Sequence, residues 1–455
     1  MDKTPLSLEA LQARFQELEP PLSKHEAKVE AHRCLYCYDA PCIAACPTSI
    51  DVPTFIRKIG TGNVLGAATT ILEANLMGAS CSRVCPVEEL CEGACVLGGD
   101  HKPIEIGRLQ RYAMDYLYER DVMPFTPEPS NGRRVAVVGA GPAGLTCAGE
   151  LAKLGYDVTV YDKNPLPGGL STYGIVVMRE PIRVALEEVE FIKKLGVKVE
   201  TGVAVGEDVT ADDLLGGYDA VFLGVGMGAV PDLRVPGEDL EGVTEALSFI
   251  AETKLAEKEG LEHLQDLPLG RRVAVIGAGN TAIDAATIAK RLGAERVTIV
   301  YRRSEAEMTA YDFEYRFIKN EGVSFEFLSQ PVEIVGNDGQ VSGLKCVKMQ
   351  LSNPGDDGRP RPIPVPDSEF VIECDQVIKA IGQQKFGALF EHFGLDVERG
   401  YLTVDEGLRT SHPQIFAGGD CIRATGEAMT VTATEDGKQA AKSIHAWLGT
   451  AVAAD

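Results

Sequence analysis

Eight of the chain's twelve cysteines fall between Cys34 and Cys95, in two groups with short gaps. The first is Cys34-x2-Cys37-x4-Cys42-x3-Cys46-Pro47; the second is Cys81-x3-Cys85-Pro86-x4-Cys91-x3-Cys95. Thiolates are soft donors that share negative charge with iron. Short runs closing on Cys-Pro hold iron–sulfur clusters, and the last cysteine often reaches over to a second cluster. Structural zinc takes Cys-x2-Cys pairs with longer gaps between them. A stretch this short has little reason to bury eight unligated thiols. The pattern therefore points to iron–sulfur. Cys147, Cys346, Cys374 and Cys421 are scattered and carry no such signal.

Two glycine-rich segments supply the second kind of chemistry. Gly139-Ala140-Gly141-Pro142-Ala143-Gly144 follows an apolar run, and Asp162 ends the next such run. Glycines there let a pyrophosphate approach a helix N-terminus, and the carboxylate is placed for ribose hydroxyls. Gly277-Ala278-Gly279-Asn280-Thr281-Ala282 repeats the pattern, with Ala at the third glycine position, a permitted variant. Its following run ends Tyr301-Arg302-Arg303, with no carboxylate. Two guanidinium groups suit a 2′-phosphate and hence NADP, although solvated charge or stacking on adenine would also account for them. No serine nucleophile elbow and no histidine metal pair is apparent.

The elements that must position these residues fall into two styles. RRVAVVGAGPAGLTCAGELAKLG (133–155) and RRVAVIGAGNTAIDAATIAKRLG (271–293) each predict strand, turn and helix, with a further strand at 157–162 and 296–303. Alternating strands and helices predict parallel α/β sheets, and a unit occurring twice predicts two nucleotide sites. Residues 1–125 predict helices only, one of them started by a Ser23/Glu26 capping box, and TPEPSNG (126–132) predicts a linker. GNDGQ (336–340) is a hairpin turn signal, and NPGDDGRPRPIPVPD (353–367) is expected to be a polar loop. The chain has 455 residues, 45% of them apolar and 24% charged, which excludes wholesale disorder. A net charge of −23 argues against nucleic acid or an anionic membrane as partner. No apolar run reaches the roughly 18 residues of a membrane span, and the N-terminus carries no signal-peptide pattern, so a cytoplasmic location is expected.

The cysteine pattern followed by two glycine-rich units resembles the flavin/iron–sulfur module shared by glutamate synthase small subunits and the N-terminal half of dihydropyrimidine dehydrogenases. The resemblance spans about residues 30–448. IFAGGDCIRATGEAMTVTATEDGKQAA (415–441) resembles the second FAD-binding stretch of two-dinucleotide-domain flavoproteins, with Gly419 and Asp420 at the ribityl and pyrophosphate region and a helix starting near Thr430. Gly168, Gly169, Leu170 and Arg179 match the family's flavin-contacting segment. The resemblance implies one 4Fe–4S cluster on Cys34, Cys37, Cys42 and Cys95, and a second on Cys46, Cys85, Cys91 and Gln110, leaving Cys81 free. Simple counting would instead use all eight cysteines. Glutamate synthase small subunits tend to carry glutamate at the Gln110 position.

The implied fold is an N-terminal α-helical two-cluster domain (1–125) followed by two Rossmann-like dinucleotide domains, the second inserted into the first. The FAD domain would take 131–228 and 381–449, and the NAD(P)H domain 229–380, with 220–230 and 377–384 as the paired crossover strands. The expected cofactors are FAD, two 4Fe–4S clusters and NAD(H) or NADP(H). Mammalian NADPH-dependent members place another arginine where this chain has Thr309, which tilts the choice towards NADH. The implied function is hydride uptake from NAD(P)H onto FAD, then single-electron transfer through the clusters. The expected partner is an FMN-containing dihydropyrimidine dehydrogenase catalytic subunit, in a heterotetramer that reduces uracil or thymine. Two alternatives are the small subunit of glutamate synthase and a non-enzymatic iron–sulfur scaffold.

Overall fold

The computed structural model describes residues 6–354, 360–424 and 428–451. Among the described residues seven α-helices precede the first strand: α1 (Leu8–Arg14), α2 (Lys24–Ala31), α3 (Pro41–Ala44), α4 (Val52–Gly60), α5 (Val64–Ala74), α6 (Gly78–Val84) and α7 (Ile106–Tyr118). Their ends are written into the sequence. Ser23 and Glu26 close the capping box on α2, Asp51 Oδ1 accepts from the Thr54 amide at α4, and Asn63 Oδ1 accepts from the Gly66 amide at α5. Phe55, Ile56 and Ile59 of α4 and Ala67, Ala68, Ile71 and Leu72 of α5 are all buried in one core.

Next come β1 (Arg134–Val138), α8 (Pro142–Lys153), β2 (Asp157–Asp162), α9 (Leu170–Tyr173), α10 (Ile182–Lys193), β3 (Lys198–Thr201), α11 (Ala211–Gly217) and β4 (Ala220–Leu223). The chain continues through β5 (Val243–Glu245), α12 (Ala246–Glu259), β6 (Arg272–Ile276), α13 (Asn280–Arg291), β7 (Arg296–Val300), α14 (Asp312–Asn320), β8 (Ser324–Glu326), β9 (Ser329–Asn337), β10 (Gln340–Pro354), β11 (Pro360–Ile372) and β12 (Gln376–Lys379). It ends with α15 (Gly387–His392), β13 (Val397–Glu398), β14 (Tyr401–Leu402), β15 (Ile415–Ala417) and α16 (Thr430–Ala451).

These elements form two compact units. One comprises residues 18–172, 179–227 and 385–455, and its parallel sheet has the order β15-β4-β1-β2-β3. The apolar run Val135–Val138 is buried along its length, as a strand covered on both faces requires. The cysteine-bearing helices share one core with this sheet's helices: Leu76, Met114, Leu151, Ile192 and Ile444 belong to a single buried cluster. Lys438 of α16 donates to the carbonyls of Thr48 and Ala74, at 2.9 and 3.0 Å.

The other unit comprises residues 1–17, 173–178 and 228–384. Its parallel sheet runs β5-β12-β6-β7-β8, beside an antiparallel sheet β11-β10-β9. Asp338 and Gly339, both at positive φ, make the two-residue turn between β9 and β10 that the GNDGQ signal predicts. At the unit's chain ends, the Gly228 amide donates to the Gln384 carbonyl and the Gln384 amide to that of Ala229, both at 2.8 Å.

The expected loop at 353–367 is corrected in part. From Pro360 it is strand β11, paired antiparallel with β10. Pro360, Pro362 and Pro364 recur at a spacing of two on an edge strand, so their missing N–H groups fall on one side of the backbone. An edge strand tolerates this on its unpaired side, whereas sequence pattern alone counts proline against any strand. Residues 355–359 of that segment lie outside the described residues. No single helix among the described residues is long and apolar enough to cross a membrane; α5 and α6 pass only as a pair, bent by 88°.

Candidate flavin, nucleotide and iron–sulfur sites

The first glycine-rich loop needs its glycines for close approach. Gly139 has φ 101°, and a Cβ there would lie 2.4 Å from the Gly224 carbonyl oxygen. A Cβ at Gly144 would lie 1.9 Å from the Gly139 carbonyl oxygen, and one at Gly169 (φ 58°) 2.7 Å from Gly141 Cα. Gly141 precedes α8, with Pro142, Ala143 and Gly144 in its first turn, and the Gly168 amide donates to the Ala140 carbonyl. Asp162 is buried at the end of β2, where its carboxylate accepts from the amides of Ala140 and Asn164, each at 2.8 Å. It therefore braces the glycine loop from below, a contact not foreseen from sequence. Leu170 is exposed and Arg179 half-buried.

The C-terminal motif closes on the same loop. Gly419 has φ 79°, and its amide donates to Asp436 Oδ2 at 2.9 Å; Arg423 pairs with the same carboxylate. A Cβ at Gly437 would lie 2.2 Å from the Ala143 carbonyl oxygen, so α16 packs directly on α8. Thr430 is the first residue of α16. Burial raises the Asp420 carboxyl, and Arg423 opposes that. Asp436, Arg423 and Lys438 were missed in the sequence, where they look like ordinary helix and turn polarity. Residues 425–427 of the motif lie outside the described residues.

In the other unit, a cavity of about 780 Å3 is lined by Gly277, Ala278, Gly279, Thr281, Arg302, Arg303 and Thr309, among others. Gly277 has φ 127°, and a Cβ there would lie 2.1 Å from the Ala380 carbonyl oxygen. Asn280 begins α13, and its Oδ1 accepts from the Tyr311 amide. Arg302 is exposed at the end of β7, and Arg303 Nε donates to the Pro360 carbonyl at 3.3 Å.

The cysteines ring two separate, largely apolar cavities. One is lined by Cys34, Cys37, Cys42 and Cys95, with Leu35, Val52, Ile56, Ile104 and Ile106 among the rest. The other is lined by Cys46, Cys81, Cys85, Cys91 and Gln110, with Pro47, Leu90 and Val431. Gln110 is buried and its Nε2 donates to the Gly78 carbonyl at 2.8 Å. Among the described residues, no three His, Cys, Asp or Glu side chains converge as ligands of a single metal ion. Thiols spaced around a cavity suit a cube of iron and sulfide better than one tetrahedral ion. Burial pushes the Cys42 thiol up to about 11, with Cys34 adding repulsion, and burial likewise raises Cys34 and Cys91. The half-buried Cys34, Cys42 and Cys91 thus resist becoming thiolates until a cation compensates them, and the donor sets fit a metal cluster.

Behind the second cysteine cavity, the Ser80 hydroxyl contacts both Glu180 and Glu188, and all three side chains are fully buried. A hydroxyl donates only one proton, so it gives to one carboxylate and accepts from the other, protonated acid. The amides of Ala79 and Ser80 also donate to Glu188, at 2.7 and 3.0 Å. Burial first, then repulsion from Glu180, pushes the Glu188 carboxyl up to about 8. The folded chain thus keeps a proton that the unfolded chain releases near the ordinary value of about 4.3. That contribution to stability is complete below about 4.3 and is lost as pH rises through about 8. The melting temperature is expected to fall between pH 6 and pH 9, and Glu188→Gln to flatten the fall. A wild-type melting temperature constant or rising over that range would refute the shared proton.

Comparison with known proteins assigns the family. The profile described as "Pyridine nucleotide-disulphide oxidoreductase" matches residues 133–437, and "Dihydropyrimidine dehydrogenase domain II, 4Fe-4S cluster" matches residues 11–122. The chain is a member of the pyridine nucleotide-disulphide oxidoreductase family. It is 37% identical to the glutamate synthase [NADPH] small chain of Escherichia coli, over 98% of this chain and 96% of that one. It is 35% identical to the NAD-dependent dihydropyrimidine dehydrogenase subunit PreT of Salmonella typhimurium, over 95% and 97% respectively. The structure of Mycobacterium tuberculosis FprA in complex with NADPH has the same fold over 72% of this chain and 86% of that one, with TM-score 0.58 at 21% identity. The chain is thus an NAD(P)H-dependent flavin oxidoreductase with a 4Fe–4S domain.

Proposed function

We propose that the chain is the electron-input subunit of a two-subunit enzyme of the dihydropyrimidine dehydrogenase type. The observation that carries this reading is Gln110, whose buried side chain lines the second cysteine cavity with Cys46, Cys81, Cys85 and Cys91. The PreT relative, matched almost end to end, supports it. Bound FAD would lie along Gly139, Gly141–Gly144 and Gly169, with Gly419, Asp420 and Thr430 closing over it. NAD(P)H would occupy the 780 Å3 cavity, with Arg302 and Arg303 at its ribose end. When bound, NAD(P)H would supply a hydride, and FAD the chemistry that releases its two electrons one at a time and its proton to solvent. The protein's own part is positioning: the glycines admit the phosphates, and the packed helices hold the cluster ligands near the flavin. Val431, in the first turn of α16, lines the second cavity, so Cys46, Cys85, Cys91 and Gln110 would hold a cluster beside the helix of the C-terminal FAD motif. Cys34, Cys37, Cys42 and Cys95 would hold the other cluster, and the acceptor would be an FMN-bearing partner subunit in the cytoplasm.

A second reading is the small chain of a glutamate synthase, favoured by the 37% identity to that protein. One experiment separates the two. The purified chain should oxidise NAD(P)H with artificial acceptors yet leave uracil and thymine unchanged. Adding an FMN-containing dihydropyrimidine dehydrogenase subunit should start pyrimidine reduction, and Gln110→Ala should depress that coupled rate far more than flavin reduction. Uracil reduction by the chain alone, or coupling only to a glutamate synthase large subunit, would overturn the proposal.

A further inference from the structure

Resting on the assignment of the 780 Å3 cavity to NAD(P)H, we propose that Arg234 is a third basic anchor for the dinucleotide, binding its pyrophosphate. Arg234 lines this cavity together with Arg302 and Arg303. Among the described residues none of the three guanidinium groups makes an ion pair, and Asp232, a carboxylate in the same wall, lies 3.7 Å from Lys379 Nζ. Three such groups around one cavity suit a polyanionic ligand.

The backbone at Arg234 is held by its neighbours, which fixes where the exposed side chain leaves the chain. Its φ is 61°, a left-handed conformation uncommon outside glycine and costly unless the surroundings enforce it. Glu238 enforces it: its carboxylate accepts from the Leu233 amide at 2.7 Å and the Arg234 amide at 2.8 Å. The same carboxylate accepts from Lys379 Nζ at 2.8 Å, and Lys379 is buried. The turn is pinned again at Gly237, where a Cβ would lie 2.1 Å from the Ile334 carbonyl oxygen.

These anchors also say which end of the dinucleotide Arg234 meets. Lys379 precedes Ala380, whose carbonyl oxygen is the atom that crowds Gly277, the first glycine of the phosphate loop. Through Glu238 and Lys379, Arg234 is therefore tied beside the glycine loop that receives the pyrophosphate. Arg302 and Arg303 sit instead at the end of β7, where the ribose 2′ position falls. A pyrophosphate contact is common to NADH and NADPH, whereas a 2′-phosphate contact is not.

The test is equilibrium titration of the flavin-loaded protein with NAD+, NADP+ and ADP-ribose. Arg234→Ala should weaken all three by a similar factor of about 10 or more, the loss of one charge-assisted contact. Arg234→Gly, which accepts the positive φ without strain, should weaken them equally, so misfolding cannot explain the result. Arg302→Ala/Arg303→Ala, by contrast, should change the ratio of NADP+ to NAD+ binding. Unchanged affinity in both Arg234 variants would overturn the proposal, as would a loss confined to NADP+. Gly277→Val is the control for the cavity. If it destroys binding while both Arg234 variants retain it, only the Arg234 assignment fails; if it binds normally, the cavity assignment fails as well.

Discussion

Gly144→Val is expected to yield protein without flavin and without NAD(P)H oxidation. At this position the first side-chain atom alone would lie 1.9 Å from the Gly139 carbonyl oxygen and 3.1 Å from Val137. Neither neighbour can retreat, because Gly139 is itself held against Gly224 and Val137 lies in the central strand of the sheet. The substitution must therefore push α8 off β1, at a cost of about 1–3 kcal/mol or more. It would also open the loop through which a pyrophosphate approaches the helix. Flavin content after release and absorbance of the supernatant checks this. Gly216→Ala in α11 serves as the contrast, since nothing lies within 4 Å of a Cβ there and its backbone is helical, and it should retain flavin. Full flavin occupancy in Gly144→Val would remove the first loop from the site.

Cys34→Ser is expected to reduce iron from about eight to about four atoms per chain and to destabilise the helical region, on the reading of two four-iron clusters. Cys34, Cys37 and Cys42 lie around α3, whereas Cys95 comes from beyond α6, yet all four line one cavity. A cluster there would cross-link segments far apart in sequence, so its loss would remove a tie as well as a cofactor. Iron and sulfide analysis after anaerobic reconstitution, with a thermal melt, measures both effects. Cys147→Ser, which lines neither cavity and is buried in the core, should keep all the iron. An unchanged iron content in Cys34→Ser would contradict the ligand set.

Much of this was legible because the signals are local. Glycine spacing, β-branched runs and the Ser23 cap act within a few residues, and each produces the loop, strand or helix start it predicts. The two strand–turn–helix repeats lead directly to two parallel sheets, since buried parallel strands must be apolar throughout. What escaped the sequence depends on contacts between distant segments. Asp436 and Lys438 look like helix-surface polarity until α16 is laid on α8 and the 48 and 74 carbonyls come within reach. Glu180 and Glu188 look like solvated acids until Ser80 meets both in the core. Strand β11 was hidden by its prolines, whose tolerance depends on edge position, a property of the assembled sheet. The fourth ligand of the second cluster rests on the family resemblance, because the cavity gathers Cys81 as well as Gln110.

The central claim is that electrons enter from NAD(P)H, pass onto the flavin and leave through 4Fe–4S clusters held by these cysteines. Its most direct test is anaerobic titration of the purified chain with NADPH or NADH, followed by visible absorbance and by electron paramagnetic resonance of frozen samples. The flavin band should bleach first, and signals from reduced 4Fe–4S clusters should then grow without any other reductant. In Cys46→Ser the bleaching should persist while the cluster signals fail to develop fully. A wild-type flavin that bleaches completely while its intact clusters stay oxidised would contradict the account.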